Sequence, residues 1–317
     1  MNHLESSFTG RNTFWRYLIM IIAVFAASNT VGSIPLIISM GARVASNPEI
    51  LEKLSVNPTD LSPLGLDPNI SLLMLLFPFI VSLVTFVLLI RPLNDRTFKQ
   101  IINGTNKFRW NRFLISALVW LVVSAIYLFV NLKIDPSNFS LNNDTSTLIS
   151  LALISVLFIP FQAAFEEVIF RGYLMQGFSL LLKNRFFPLF MTSVLFGLMH
   201  GLNPEVKEFG FWLMMPQYVL FGLIFGIITI LDDGIEAAMG AHTANNVFLC
   251  VMVTNKSSAL QTPALYEQLT IHPWLEFGSM IIMGIFVIII LKVIFKWKSF
   301  SVLYENIVPR KAESYTP

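Results

Sequence analysis

Apolar residues run along this chain in blocks of roughly 20, separated by short polar stretches. Eight blocks fall near 14–40, 71–90, 112–132, 148–170, 187–201, 211–231, 235–254 and 274–295. A run of about 20 apolar residues is what a helix needs to cross the hydrocarbon core of a bilayer. The pattern predicts an all-α, polytopic transmembrane bundle of about eight spans, one integral membrane domain over 1–317. The fifth block is short, and the seventh, IEAAMGAHTANNVFLCVMVT, is polar enough to escape a hydropathy window. In the first block, Arg11 and Arg16 precede an apolar run that contains AVFAAS, as in a secretory leader. Its apolar character continues to Met40, so it reads as an uncleaved span bent near Gly32 and Pro35. The stretch 41–70, with four prolines, reads as an outer loop or re-entrant piece, and 296–317 as a cytoplasmic tail.

Composition agrees with that pattern. The 317 residues are 55% hydrophobic and 13% charged, about half the charged fraction of a soluble domain. A net charge of +2 gives no ground for a nucleic-acid partner. One cysteine, Cys250, excludes an intramolecular disulfide framework and a cysteine metal cluster, and it reads as a small packing residue.

Basic residues sort by loop. Arg91, Arg96, Lys99, Lys107, Arg109 and Arg112 crowd one connection, Lys183 and Arg185 another, and Lys292, Lys296, Lys298, Arg310 and Lys311 the end of the chain. The alternate loops are acidic or nearly neutral: 41–70 has Glu49, Glu52, Asp60 and Asp67 against Arg43 and Lys53. The positive-inside rule then puts both termini in the cytoplasm. Asp232 and Asp233 fall on the inner side against the trend. No internal repeat is evident, which disfavours inverted-repeat transporters.

Against this background, Glu166, Glu167 and Arg171 interrupt the fourth block. Each charge at membrane depth costs about 2.5–3.5 kcal/mol on insertion scales, so three in six residues call for a use. Glu167 and Arg171 stand four apart with the acid first, the favourable order for an ion pair. Glu166 lies about 100° further round the helix and is left for chemistry. His200 in FGLMH and His242 in AHTANN fall in apolar segments, whereas His3 and His272 lie outside the spans and call for no special account. His242 and Asn246, four apart, share a helix face; Asn245 stays open on geometry, and Phe196 packs on the face of His200.

These groups can meet. A helix continued from Glu166 to Lys183 descends about 25 Å, and after a turn at Asn184–Pro188 the climb from Phe187 to His200 is about 20 Å. A carboxylate and an imidazole sharing a water form a general acid–base pair, and a second imidazole with an amide can donate to an oxyanion. Glu and His are also zinc ligands, so a metal held by Glu166, His200 and His242 is an alternative. HExxH, GxSG and GxGD settings are absent from the sequence.

EEVIFR (166–171), FGLMH (196–200) and HTANN (242–246) match EExxxR, FxxxH and HxxxN in order. On apolar helices, this set resembles the CAAX protease and bacteriocin-processing (CPBP, or Abi) intramembrane endopeptidases, which include Rce1-type prenyl-protein proteases. The resemblance covers about 150–250 and implies a catalytic core within 148–254 and a cavity open towards the cytosol. It implies that Glu166 and His200 activate water, that His242 and Asn246 hold the oxyanion, and that Glu167, Arg171 and Phe196 support them. It also implies a peptide or protein substrate, membrane-anchored or lipidated forms included. Members of the family have been described as metalloproteases and as metal-independent glutamic proteases. The second fits these residues better, because Asn246 is a poor zinc ligand, so no cofactor is expected. Two other roles use the same residues: a bacteriocin-immunity or regulatory membrane protein of the same fold, and a proton-coupled transporter. The expected location is a bacterial cytoplasmic membrane.

Overall fold

A computed structural model describes residues 3–56, 61–105, 107–144 and 146–308; Asp60, Arg310 and Lys311 of the charge pattern lie outside them. After a 3₁₀ turn at Glu5–Phe8, α1 (Phe14–Ala27) passes through a π-helical turn (Ser28–Gly32) into α2 (Ile34–Ser46), followed by α3 (Glu49–Val56). Next come α4 (Pro68–Asn94), α5 (Phe98–Ile102) and α6 (Trp110–Ile134). The helix α7 (Leu148–Glu167) continues through a second π-helical turn (Val168–Leu174) into α8 (Met175–Leu182). The chain then forms α9 (Phe186–Met199), α10 (Pro204–Phe209), α11 (Phe211–Asp232), α12 (Glu236–Val251) and α13 (Pro273–Phe295).

Among the described residues, six helical runs are long and apolar enough to cross a bilayer: Phe14–Ser46, Pro68–Asn94, Trp110–Ile134, Leu148–Leu182, Phe211–Asp232 and Pro273–Phe295. The other two of the eight expected spans are α9, with 14 residues, and α12, with 16. Both are shorter than the blocks that suggested them, and α12 is polar for a visible reason. It packs against α6, α7 and α11, and His242, Thr243 and the run from Glu236 to Ala241 are buried. A helix wrapped by protein need not be apolar all round. Its small residues allow the wrapping: a Cβ on Gly240 would lie 2.1 Å from the Phe113 carbonyl oxygen of α6. The outer faces of α4, α6, α7 and α13 instead expose Leu88, Leu118, Leu153 and Ile285, as lipid-facing surfaces do. This is a polytopic membrane fold.

The bend expected near Gly32 is the first π-helical turn, which nests against Pro78 of α4, 2.8 Å from where a Gly32 Cβ would stand. The stretch 41–70, read as a loop, is largely helical: α2 runs to Ser46, α3 follows, and Asp67 caps α4 by accepting from the Asn69 and Ile70 amides. Its Ile50, Leu54, Leu61 and Leu64 form an apolar cluster packed against Leu36 and Met40 of α2.

The two ends of the bundle differ. At the end bearing His3 and Ile307, Arg109 pairs with Glu236 (2.6 Å) and Asp232 (3.0 Å), and Arg112 with Asp232 (3.2 Å). Trp297 donates its indole N–H to Asp232 at 2.7 Å. Asp232, out of place by charge counting, is thus the counter-ion of the basic connection. The described part of 296–317 packs back here: Trp297, Val302 and Ile307 are buried, and the Ile307 amide donates to the Lys183 carbonyl. At the opposite end, β1 (Phe139–Leu141), β2 (Val253–Thr254) and β3 (Tyr266–Gln268) form a sheet in the order β1-β3-β2. β3 runs antiparallel to β1, with Phe139 facing Gln268, and parallel to β2. The sheet ties two connections together over that end.

Candidate active site

Helix α7 carries Glu166 and Glu167 into the middle of its 35-residue run, where the ladder loosens into a π-helical turn. Such turns are frequent at functional sites because the extra residue re-aims neighbouring side chains. Here the turn carries Arg171, which is fully buried and reaches Glu167 at 2.8 Å, the expected pair. The Arg171 guanidinium also donates to the Gly222 carbonyl at 3.2 Å and lies 4.3 Å over the Phe196 ring. A buried cation needs this company, since an uncompensated charge there costs several kcal/mol.

The same Glu167 oxygen takes a second partner, His242 Nδ1, at 2.8 Å. The carboxylate accepts, so Nδ1 carries the proton and the other nitrogen is aimed elsewhere. That nitrogen, Nε2, lies 3.6 Å from Glu166 Oε2, beyond a direct hydrogen bond but close enough for one water or one substrate atom to touch both. Phe225 stacks on the His242 ring at 4.9 Å and fixes its plane.

Glu166 is held from its own helix. The Gln162 amide donates to Glu166 Oε1, while the Gln162 carbonyl oxygen accepts from Asn246 Nδ2 at 2.8 Å. Gln162 therefore fixes the carboxylate and the amide relative to each other. Asn245 donates to Asn246 Oδ1 at 2.9 Å and is itself held by the Trp120 indole. Asn246 keeps one N–H uncommitted to these partners. Glu166 Oε2 is buried and accepts no hydrogen bond among the described residues. Glu167 Oε2 is unpartnered as well, so what sets Glu166 apart is that its free oxygen belongs to a residue of the cavity wall.

His200 stands where α9 ends, at its C-cap. Its Nδ1 lies 2.7 Å from the Phe196 carbonyl, which can only accept, so Nε2 is left as the basic nitrogen. The ring lies between Phe196 and Tyr218, with centroids 4.6 and 4.7 Å away. No hydrogen bond or ion pair joins His200 to Glu166 among the described residues; the imidazole beside Glu166 is that of His242.

One cavity of about 330 Å³ brings these groups together: Glu166, His200, His242 and Asn246 all line it, with Phe196, Gln162, Tyr218 and Phe225. Glu167 and Arg171 stand behind it, fully buried. All seven residues singled out from the sequence are thus in the cavity wall or directly supporting it. Among the described residues, no three His, Cys, Asp or Glu side chains are arranged to hold a metal ion.

The structure adds residues that spacing did not single out. Gln162 carried a weak signal, being polar and four before Glu166 in an apolar run. Tyr218 carried none. Glu205, at the cavity rim, accepts from the Ala259 amide at 2.9 Å; burial raises its pKa above the usual carboxylate range, opposed by that amide, Tyr218 and His200. His3, set aside in the sequence as lying outside the spans, is buried beneath Arg171. Its Nε2 donates to the Arg171 carbonyl at 2.9 Å, and Gln176 donates to its Nδ1 at 3.2 Å. Burial lowers the His3 pKa, keeping the ring neutral, as that pattern requires.

Comparison with known proteins gives the family. The sequence model of the type II CAAX prenyl endopeptidase Rce1-like family matches residues 145–248, which hold every catalytic candidate. The chain is also 30% identical over 262 residues to the uncharacterized protein YyaK of Bacillus subtilis (strain 168), covering 81% of this chain and 84% of that protein. No solved structure matches. The chain belongs to the Rce1-like family, whose membership implies a CAAX protease-type peptidase acting on peptides in a membrane setting.

Proposed function

We propose that the protein is an intramembrane endopeptidase that cleaves a peptide bond with water as nucleophile and without a metal. The observation that carries this reading is the convergence of Glu166, His200, His242 and Asn246 on one cavity, each oriented by a hydrogen-bond partner in or behind its wall. Water bound between Glu166 and His200 Nε2 loses a proton to this pair as its oxygen adds to the scissile carbonyl. The carbonyl oxygen becomes an oxyanion. A proton held between Glu166 Oε2 and His242 Nε2 makes the cluster of Glu166, Glu167, Arg171 and His242 electrically neutral. It also makes His242 Nε2 a donor, so the oxyanion accepts from His242 and from the remaining Asn246 N–H. Collapse returns the water proton to the leaving amine, giving one carboxylate end and one amine end.

The wall also bears on what is cut. Among its described residues are the carboxylates Glu166 and Glu205 and no lysine or arginine. A terminal carboxylate of a substrate finds no counter-ion there, which favours internal bonds in an uncharged or cationic apolar segment. Glu166→Gln keeps an oxygen acceptor for Gln162 but no base. It is expected to insert and fold normally and to lose cleavage by about 10²–10⁴-fold, with chelators leaving the native rate unchanged. Full cleavage by Glu166→Gln sinks the assignment, and a rate that falls with chelator and returns with added zinc sinks the metal-free step.

A further inference from the structure

Two expectations drawn from the sequence conflict once the cavity is located. Charge counting places the basic connections in the cytoplasm, while the family resemblance places the cavity mouth there too. In the structure the two lie at opposite ends of the bundle. From Glu166 and His242, the cavity wall rises along α12 through Asn246 to Cys250, reaches Asn203 and Glu205 after α9, and ends at Ser258–Leu260 beside the small sheet. In the other direction the molecule is sealed. Arg171, Tyr173, Gln176, Ser179 and Glu236 are all fully buried. Below them, the 3₁₀ turn Glu5–Phe8 closes the base, with Ser7 bonded to Ser179 and Ser6 accepting from Arg96.

The sealed base is also the basic end. Arg91, Arg96, Lys99, Lys107, Arg109, Arg112, Lys183, Arg185, Lys292, Lys296 and Lys298 all lie in or beside its connections. The connections at the mouth carry Asp135, Asp144, Glu205, Glu208, Glu267 and Glu276, with only Lys133, Lys207 and Lys256 between α6 and α13. Such a bias in Lys and Arg sets orientation with the rich side in the cytoplasm.

We infer that the catalytic chamber opens on the non-cytoplasmic side of the membrane. Its substrate is then a peptide segment that has already been exported, or one anchored from the outer leaflet. This rests on the peptidase reading for the word substrate, but the sidedness of the chamber stands on charge and geometry alone. It reverses the cytosolic mouth that the family resemblance implies. An apolar segment lodged in the outer half of the bilayer reaches Glu166 without crossing the sealed base, whereas a cytoplasmic one meets Arg171 and the packed turn of Glu5–Phe8.

The test uses the full chain in a bacterial membrane, with Cys250→Ser removing the native thiol. Single cysteines are placed at the mouth end (Asn143→Cys, exposed, and Ser258→Cys, on the rim) and at the basic end (Lys298→Cys, exposed). A membrane-impermeant maleimide is applied to intact cells. The expected result is labelling at 143 and 258, with 298 labelled only after permeabilisation. In the same cells, the reagent should reduce Glu166-dependent peptide release by the Ser258→Cys protein and leave that of Asn143→Cys unchanged. Labelling at 298 in intact cells, with or without the other sites, overturns the inference. The expected labelling without any Glu166-dependent cleavage upholds the sidedness and removes the peptidase reading.

Discussion

The two halves of the bundle meet at Glu166 and Glu167, and they treat charge in opposite ways. Below that level ion pairs are closed within the packed base: Arg171 with Glu167, Arg109 with Asp232 and Glu236, Arg185 with Glu5. Above it, Glu166, His200, His242 and Asn246 are each held by one side only and leave an atom uncommitted around a shared cavity. Adjacent residues on one helix thus have different fates. Glu167 is engaged by Arg171 and His242 behind the cavity, whereas Glu166 stands in the cavity wall with Oε2 unpartnered. Arg171, carried by the π-helical turn, pairs with Glu167 at i,i+4 and lies outside the cavity lining.

This contrast can be broken from either side. Removing a paired charge from the lower half has the largest expected effect on stability. Arg171→Met strands Glu167 in a site with no solvent, and should cost about 3–5 kcal/mol, read as a lower unfolding midpoint in detergent and reduced membrane yield. Restoring much of that loss with the double variant Arg171→Met, Glu167→Gln would confirm that the stranded charge is the cause. In the upper half, Asn246→Leu should leave the midpoint near native and lower the cleavage rate by about 10²–10³-fold, the usual cost of one oxyanion donor.

His3→Phe sharpens the contrast from below. It removes the donor to the Arg171 carbonyl and the acceptor for Gln176, for an expected loss of about 1–3 kcal/mol in the unfolding midpoint. Residual activity should follow the folded fraction.

The smallest effect is expected at Glu205. Its folded pKa is raised, chiefly by burial, so the native state binds more protons than the unfolded chain. Its contribution therefore becomes less favourable as pH rises from the ordinary carboxylate value of about 4.3 through the raised one. Glu205→Gln should flatten that part of the pH–stability curve, matching the native protein in acid and equalling or exceeding it at neutral pH.

Much of this arrangement is visible in the residue order, and what is not visible has physical causes. The ion pair of Glu167 and Arg171 followed from i,i+4 spacing, and the return of His200 towards Glu166 followed from two helix lengths and one turn. A hydropathy window counts residues without knowing their neighbours, so it cannot tell that α12 is wrapped by α6, α7 and α11 rather than by lipid. Nor can spacing pair Gln162 with Asn246 or His3 with Arg171, which are 84 and 168 residues apart. His3 lies outside the spans and so drew no attention, because only the folded chain brings a buried carbonyl to it.

Glu166 and Glu167 are neighbours on one helix with different surroundings, so the sharpest measurement compares Glu166→Gln with Glu167→Gln in one membrane preparation. Unfolding midpoint and the appearance of new peptide ends are followed for both. The expected result is a native midpoint with lost cleavage for Glu166→Gln, and a lowered midpoint for Glu167→Gln. Native cleavage by Glu166→Gln, or a fall in its midpoint equal to that of Glu167→Gln, would contradict it.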